Sequence, residues 1–281
     1  MNLFRVCLRA MARFFGLARA FLRRDFLEAA SYRFAFALRF IWFFLGLGTV
    51  YFTARFVNMG HNPLLAPYGG DYFTFSLVGL IVMDFQHVSV SAFSTRIRQA
   101  QTLGTLEAIL ATPAPFGAVL LASPLYDFLS SALRAVLYLV AGSLLFNVHV
   151  GSAKPFVTLV GGILGLFTFV SLGLCAGAFT LLLRKGDPIS LFLGGVSMLL
   201  GGVWYPRAAL PHWLTWLGDL LPVTHTLEIV RRSLFAGAGF GELGRPFLAL
   251  ALLGAVFFPL GLVLFRAALR RAREEGSLTH Y

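Results

Sequence analysis

Between Lys154 and Arg184 the chain carries no charged residue. A helix over that stretch is apolar on every face, so in water it would have nowhere to put a polar side. It is also longer than the roughly 20 residues that carry a helix across a bilayer. Apolar runs of similar size recur at 34–56, 72–93, 116–146 and 247–269, with a further run from 187 to about 204. Of the 281 residues, 58% are hydrophobic and 12% are charged. Soluble domains carry about a quarter charged residues. The expected fold is therefore all-α and integral to a membrane, with six transmembrane helices.

Local signals refine the spans. Pro124 lies inside the third and is expected to kink it. In the fifth, "GDPIS" places Asp187 where it can cap the helix and Pro188 in the first turn. Pro259 lies inside the sixth. The expected organisation is an N-terminal helix and arm over 1–33, a six-span domain over 34–270 and a tail over 271–281. Within the domain, an inner loop covers 95–116 and an outer loop 205–245.

The first segment is basic and periodic. Arg5, Arg9, Arg13, Arg19 and Arg23 fall on one stripe at helical spacing, with Phe4, Leu8, Met11, Phe14 and Phe21 opposite. That pattern predicts an amphipathic helix lying in the interface, its arginines towards lipid headgroups and its rings towards acyl chains. The net charge of +11 is spent this way and at the ends of spans, not as an aromatic-interleaved patch on a soluble domain, so nucleic acid is not an expected partner. Most Lys and Arg residues gather in the arm, at Arg96 and Arg98, at Arg184 and Lys185, and in the tail. The basic side is the cytoplasmic one, which puts both termini inside the cell. Cys7 and Cys175 sit in unlike surroundings, so no disulfide is expected.

Four features bear on function. In the inner loop, "QAQTLGTLEAILATPAP" (99–115) reads as a short amphipathic helix with a Gly-Thr start. Thr105 can cap it, Glu107 suits its first turn, Leu103, Leu106 and Leu110 form a ridge, and Pro113 and Pro115 end it. Such a helix either rests on the membrane surface or seats its ridge in a partner's groove. In the outer loop, "LPHWLTWLGDLLP" and "THTLEIVRRSLFAG" are two helical pieces too short to span, read as interfacial or re-entrant, with Trp213 and Trp216 at headgroup level. Inside the spans, Asp84 and His87 share one helix face, as do Asp127 and Arg134 seven residues apart. They line a polar path, form a charge pair between moving helices (Asp127 with Arg134), or sit where spans two and three leave the membrane. Lastly, Gly161-x-x-x-Gly165 and Gly173-x-x-x-Gly177 allow close helix approach, read as packing within one subunit. No H-E-x-x-H, nucleophile elbow or phosphate-binding G-x-x-x-x-G-K-[ST] occurs. An intramembrane enzyme using Asp84, His87 and Asp127, or a non-transporting envelope scaffold, remain as alternatives.

"GTLEAILATP" resembles the cytoplasmic loop of the type-2 ABC exporter permeases, and "GGVWYPRAALPHWLTWLGDLLPVTHTLEIVRRSLFAG" resembles their outer signature. The resemblance implies a permease, not an enzyme, in a bacterial inner membrane, exporting a drug, lipid or glycan. It implies two copies of a separate cytoplasmic ATPase, which bind ATP and Mg, so this chain holds no cofactor or metal of its own. It also implies a second permease copy or a homologous permease as dimer partner. Gly104, Thr105, Leu106, Glu107, Leu110, Thr112 and Pro113 would then contact the ATPase. Trp204, Tyr205, Pro206, Pro211, Pro222, His225 and Arg231 would form an outer gate.

Overall fold

A computed structural model describes residues 2–57, 63–68, 70–105, 116–146, 153–183 and 187–274. Among the described residues the chain is helical, without strands. Helix α1 (Asn2–Ser31) is followed almost at once by α2 (Arg33–Val57). A 3-10 turn, Pro63–Tyr68, leads to α3 (Tyr72–Thr102). Then come α4 (Phe116–Ala122), α5 (Leu125–Phe146), α6 (Pro155–Leu183) and α7 (Pro188–Leu200). The segment after α7 holds α8 (His212–Asp219) and α9 (Pro222–Phe235), and α10 (Gly244–Glu274) is the last described helix.

Among the described residues, four segments are long and apolar enough to cross a membrane: Tyr72–Thr102, Gly117–Leu144, Pro155–Leu182 and Gly244–Arg271. Two shorter apolar helices, Ile41–Val57 and Pro188–Leu200, fall at the expected first and fifth spans. The expected boundaries shift in three places. Span two runs on to Thr102 instead of stopping near 93. Span three is broken, not merely kinked: Ser123 and Pro124 form a turn between α4 and α5, because proline has no N–H to donate and clashes with the preceding turn. The fifth helix ends at Leu200, where Gly201 caps it and Gly202 takes a φ of 72°. Its start is as expected: Asp187 accepts from the Ser190 amide at 3.1 Å and from its hydroxyl at 2.5 Å, with Pro188 in the first turn.

Helices α3 and α6 form the centre. Of the most apolar window of α3, 67% is buried, against 17% for α10, so α3 is a core element and α10 shows most of its apolar surface. The small-residue pattern of α6 explains how the centre closes. A Cβ at Gly161 or Gly165 would run into Ile229 or Thr226 of α9, and one at Gly173 or Gly177 into Ser89 or Phe93 of α3. Both glycine pairs thus serve packing within this chain, as the sequence reading held. Thr168 of α6 donates to the Leu250 carbonyl of α10 at 3.3 Å, and the core around Phe93, Ile97, Leu174 and Phe265 joins α3, α6 and α10.

Candidate functional site

The C-terminal end of α3 is set by one glycine. Gly104 has φ of 64°, open to glycine and strained for side-chain-bearing residues. Its amide donates to Gln101 at 3.1 Å and that of Thr105 to Ala100 at 2.9 Å, the paired bonds of a Schellman stop. Gly104 and Thr105 therefore end α3, where the sequence reading had them start the next helix. The Thr105 hydroxyl donates back to the Ala100 carbonyl at 3.4 Å. Leu106, Glu107, Leu110, Thr112 and Pro113 lie outside the described residues.

Higher on the same helix a set of ion pairs ties α1, α3 and α5 together. Arg134 of α5 meets Asp84 of α3 with both oxygens, at 2.8 and 3.1 Å, and Ser131 donates to Asp84 at 2.5 Å. Asp127 pairs instead with Arg96 at 2.8 Å, and Arg96 also reaches Asp25 of α1 at 2.8 Å. The expected Asp127–Arg134 pair is thus corrected. Seven residues along one helix put both side chains on the same face, looking at α3, and each takes its partner there. Asp25, 4% exposed, was missed, because nothing near it in sequence signals a cation 71 positions on. Its contact with Arg96 is an ion pair, not an aligned hydrogen bond. Asp84, His87, Asp127 and Arg134 all border one open groove.

The N-terminal arginine stripe is partly placed. Arg19 and Arg23 are exposed on α1, and Arg24 lies 4.8 Å from the Phe21 ring and pairs with Asp25. The side chains of Arg5, Arg9 and Arg13 lie outside the described residues.

At the opposite end of α3, Arg231 of α9 is buried, 3% exposed. Its guanidinium donates to the Phe75 carbonyl of α3 at 2.9 and 3.2 Å, to Gly202 at 2.7 Å and to Val203 at 2.8 Å. It lies 3.4 Å from the Phe75 ring centre and 5.9 Å from that of Tyr68. Burial pushes it down to about 9, still cationic at neutral pH. The chain turns away from α7 at Gly201 and Gly202, which leaves two carbonyls unclaimed by helix; Arg231 claims them. Gly79 makes room, since a Cβ there would overlap the Val203 carbonyl and sit 3.0 Å from the guanidinium. Burial, and next the Glu228 carboxylate, push Tyr68 up to about 12; its hydroxyl donates to Glu228 at 3.0 Å. Gly79, Phe75, Tyr68 and Glu228 were missed by sequence reasoning; a glycine in mid-span was the available signal for the first.

The other predicted gate residues surround this clamp unevenly. Trp204 packs against the cores on both sides of α3, and Pro206 and Pro222 are buried. The Tyr205 hydroxyl donates to the Leu199 carbonyl. His225 meets the Asp219 carbonyl at 2.8 Å, while Pro211 is exposed at the start of α8. Trp213 and Trp216 are 66% and 58% exposed, open to whatever covers that face.

Two comparisons place this arrangement among known proteins. Residues 16–235 match the model of the ABC-2 type transporter family. Over 216 residues the chain is 28% identical to the inner membrane transport permease YhhJ of Escherichia coli (strain K12), and equally to that of Shigella flexneri; the match covers 74% of this chain and 54% of each relative. The chain thus spans about half the length of the curated relatives it matches. The family match takes in the helix stop at Gly104, the ion pairs of α3 and α5 and the Arg231 clamp alike: this chain belongs to the ABC-2 type transporter family.

Proposed function

We propose that this chain is the membrane permease subunit of an ATP-driven exporter in a bacterial inner membrane, moving a hydrophobic or amphipathic substrate such as a drug, lipid or glycan out of the cytoplasm. In this reading α2, α3, α4 with α5, α6, α7 and α10 are the six spans. Helix α1 lies in the inner interface and both termini face the cytoplasm. Two copies of a separate ATPase bind ATP and Mg, and a second permease, identical or homologous, completes the path. The sequence holds no phosphate-binding loop, and the name of the E. coli relative, a transport permease, supports the class.

The observation that carries the mechanism is the span of α3. At 31 residues it is about 45 Å long at 1.5 Å per residue, against a hydrocarbon core of about 30 Å. Its outer end holds Phe75 and Gly79 at the Arg231 clamp, and its inner end is the Gly104 stop, from which residues 106–115 lead to α4. A push on 104–113 by closing ATPases moves one stiff rod whose far end touches the gate segments 204–231. The alternative enzyme fits the geometry less well. Asp84 and Asp127 are each engaged by an arginine, where paired acid–base carboxylates would face one another.

Co-purification tests the reading. The intact chain is expected to carry with it a cytoplasmic ATPase bearing a phosphate-binding loop. Hydrolysis in that complex is expected to fall at least tenfold in Glu107→Ala or Leu110→Ala. Hydrolysis indifferent to every substitution between 104 and 113 removes the coupling role.

A further inference from the structure

Helix α10 ends in arginines that its own fold leaves open. Residues 246–265 carry no charge. At 1.5 Å per residue that run is about 30 Å long, the thickness of a hydrocarbon core. Along it Leu248, Leu252, Val256, Leu260 and Val263 are between 44% and 62% exposed. Spaced by three or four residues, they form one outward stripe. Arg266 and Arg270 continue that stripe, both exposed, at the depth where acyl chains give way to phosphates. Arg96, Arg134, Arg207, Arg231 and Arg232 all close on acceptors within the chain. Arg266 and Arg270 close on none among the described residues.

Ala267 shapes the space between them. Val263, Arg266, Arg270, Arg271 and Glu274 are its neighbours on the helix surface, and together they border a shallow recess of about 530 Å³. The floor is a single methyl group, where a longer side chain would fill the gap. Three guanidiniums against the one Glu274 carboxylate leave the recess positive. Glu274 also lies one turn beyond Arg270, on the side away from the apolar run.

The occupant has to answer both the charge and the stripe. An acidic soluble protein would meet the arginines and leave the stripe bare. A second copy packed about a twofold axis at this end would set the same arginines against each other. An anionic phospholipid meets both, with a phosphodiester for the guanidinium forks and an acyl chain for the stripe.

We propose that this end of α10 binds one anionic glycerophospholipid, its phosphate held in the recess by Arg266 and Arg270 and an acyl chain lying along Val263, Leu260 and Val256. The site rests on α10 crossing the membrane and is tested by binding alone, so it stands or falls independently of the transport reading.

The test is equilibrium binding of acyl-labelled phosphatidylglycerol to the purified full chain in neutral detergent, against phosphatidylethanolamine with the same chains. Phosphatidylglycerol is expected to bind at least tenfold more tightly. Arg266→Gln with Arg270→Gln is expected to weaken it about thirtyfold. Ala267→Leu, which keeps every charge and fills the recess, is expected to weaken it about fivefold. Arg55→Gln with Arg245→Gln removes the same charge from exposed positions elsewhere and is expected to stay within twofold. All these positions are exposed, so every variant is expected to fold; thermal unfolding checks this. Phosphatidylethanolamine binding as tightly, affinity unchanged in the Arg266/Arg270 variant or in Ala267→Leu, or an equal loss in the Arg55/Arg245 variant overturns the site. Light scattering on the same samples reads the rival occupant: a change of oligomeric state in place of a change in lipid affinity gives the face to a second copy and also overturns it.

Discussion

Arg231 donates twice to the backbone carbonyl of Phe75 and lies 3.4 Å from the centre of that residue's ring. One side chain thereby fixes both the position and the rotation of the N-terminal end of α3 against α9. Two more of its bonds, to Gly202 and Val203, hold the turn after α7. Arg231→Lys keeps the charge but replaces a planar fork with a point donor that cannot reach three carbonyls together. Losing hydrogen bonds to a charged group costs about 2 kcal/mol. Amide exchange across 201–204 and α9 is expected to speed up about thirtyfold, with α10 unchanged.

Gly79→Ala tests the same clamp from the other helix. The added methyl overlaps the Val203 carbonyl, which is backbone and cannot swing aside. Overpacking of this kind costs about 1–3 kcal/mol. Gly162→Ala, whose new methyl meets nothing within 4 Å, is the matched control. Thermal unfolding in detergent is expected to show a clear loss for the first and none for the second.

A double-mutant cycle separates the two ways of pairing Arg134. Asp84→Asn with Arg134→Gln is expected to show a coupling of about 1–3 kcal/mol. Asp127→Asn with Arg134→Gln is expected to be additive to within about 0.5 kcal/mol. Thermal stabilities of the four variants of each cycle decide it.

Gly104→Ala isolates the stop itself. Among the described residues nothing lies within 4 Å of the added methyl, so the expected cost is that of the left-handed backbone, about 1 kcal/mol. Exchange at the last turn of α3 is expected to rise about fivefold, and ATP hydrolysis in an ATPase complex to fall with it. A change in stability without a change at that turn would contradict the assignment.

The Tyr68–Glu228 contact has a pH signature. Tyr68 is raised from 10.0 to about 12 by burial and Glu228, so its protonated form binds better in the folded chain. The stability it adds is fully present below pH 10 and is lost as pH climbs through about 12. Ultraviolet titration is expected to show a late component near pH 12 that is lost in Tyr68→Phe.

What could be read from the sequence was what is local. Asp187 and Pro188 announce their helix because cap and capped amide lie three residues apart. The glycine spacing on α6 announces close packing. The short outer helices α8 and α9 show as periodic pieces too brief to span. What could not be read depends on which helices touch. That Arg134 needs a partner follows from its place within an apolar run of sequence, but Asp84 lies 50 positions away. Asp25 and Arg96 meet only because α1 packs on α4 and α5. Gly104 has two valid local readings, helix stop or helix start, and the choice depends on how far α3 extends beyond its apolar run.

The central claim is that α3 moves as one rod between an ATPase contact and the outer clamp. Spin labels at Tyr72 and Thr102 in the complex with its ATPase measure this directly. Trapping the nucleotide-closed state is expected to leave that distance near 45 Å, at about 1.5 Å per residue, while the distance from Tyr72 to a label at Trp213 changes. A Tyr72–Thr102 distance that shortens on closure, or a Tyr72–Trp213 distance that stays fixed while ATP is turned over, would contradict it.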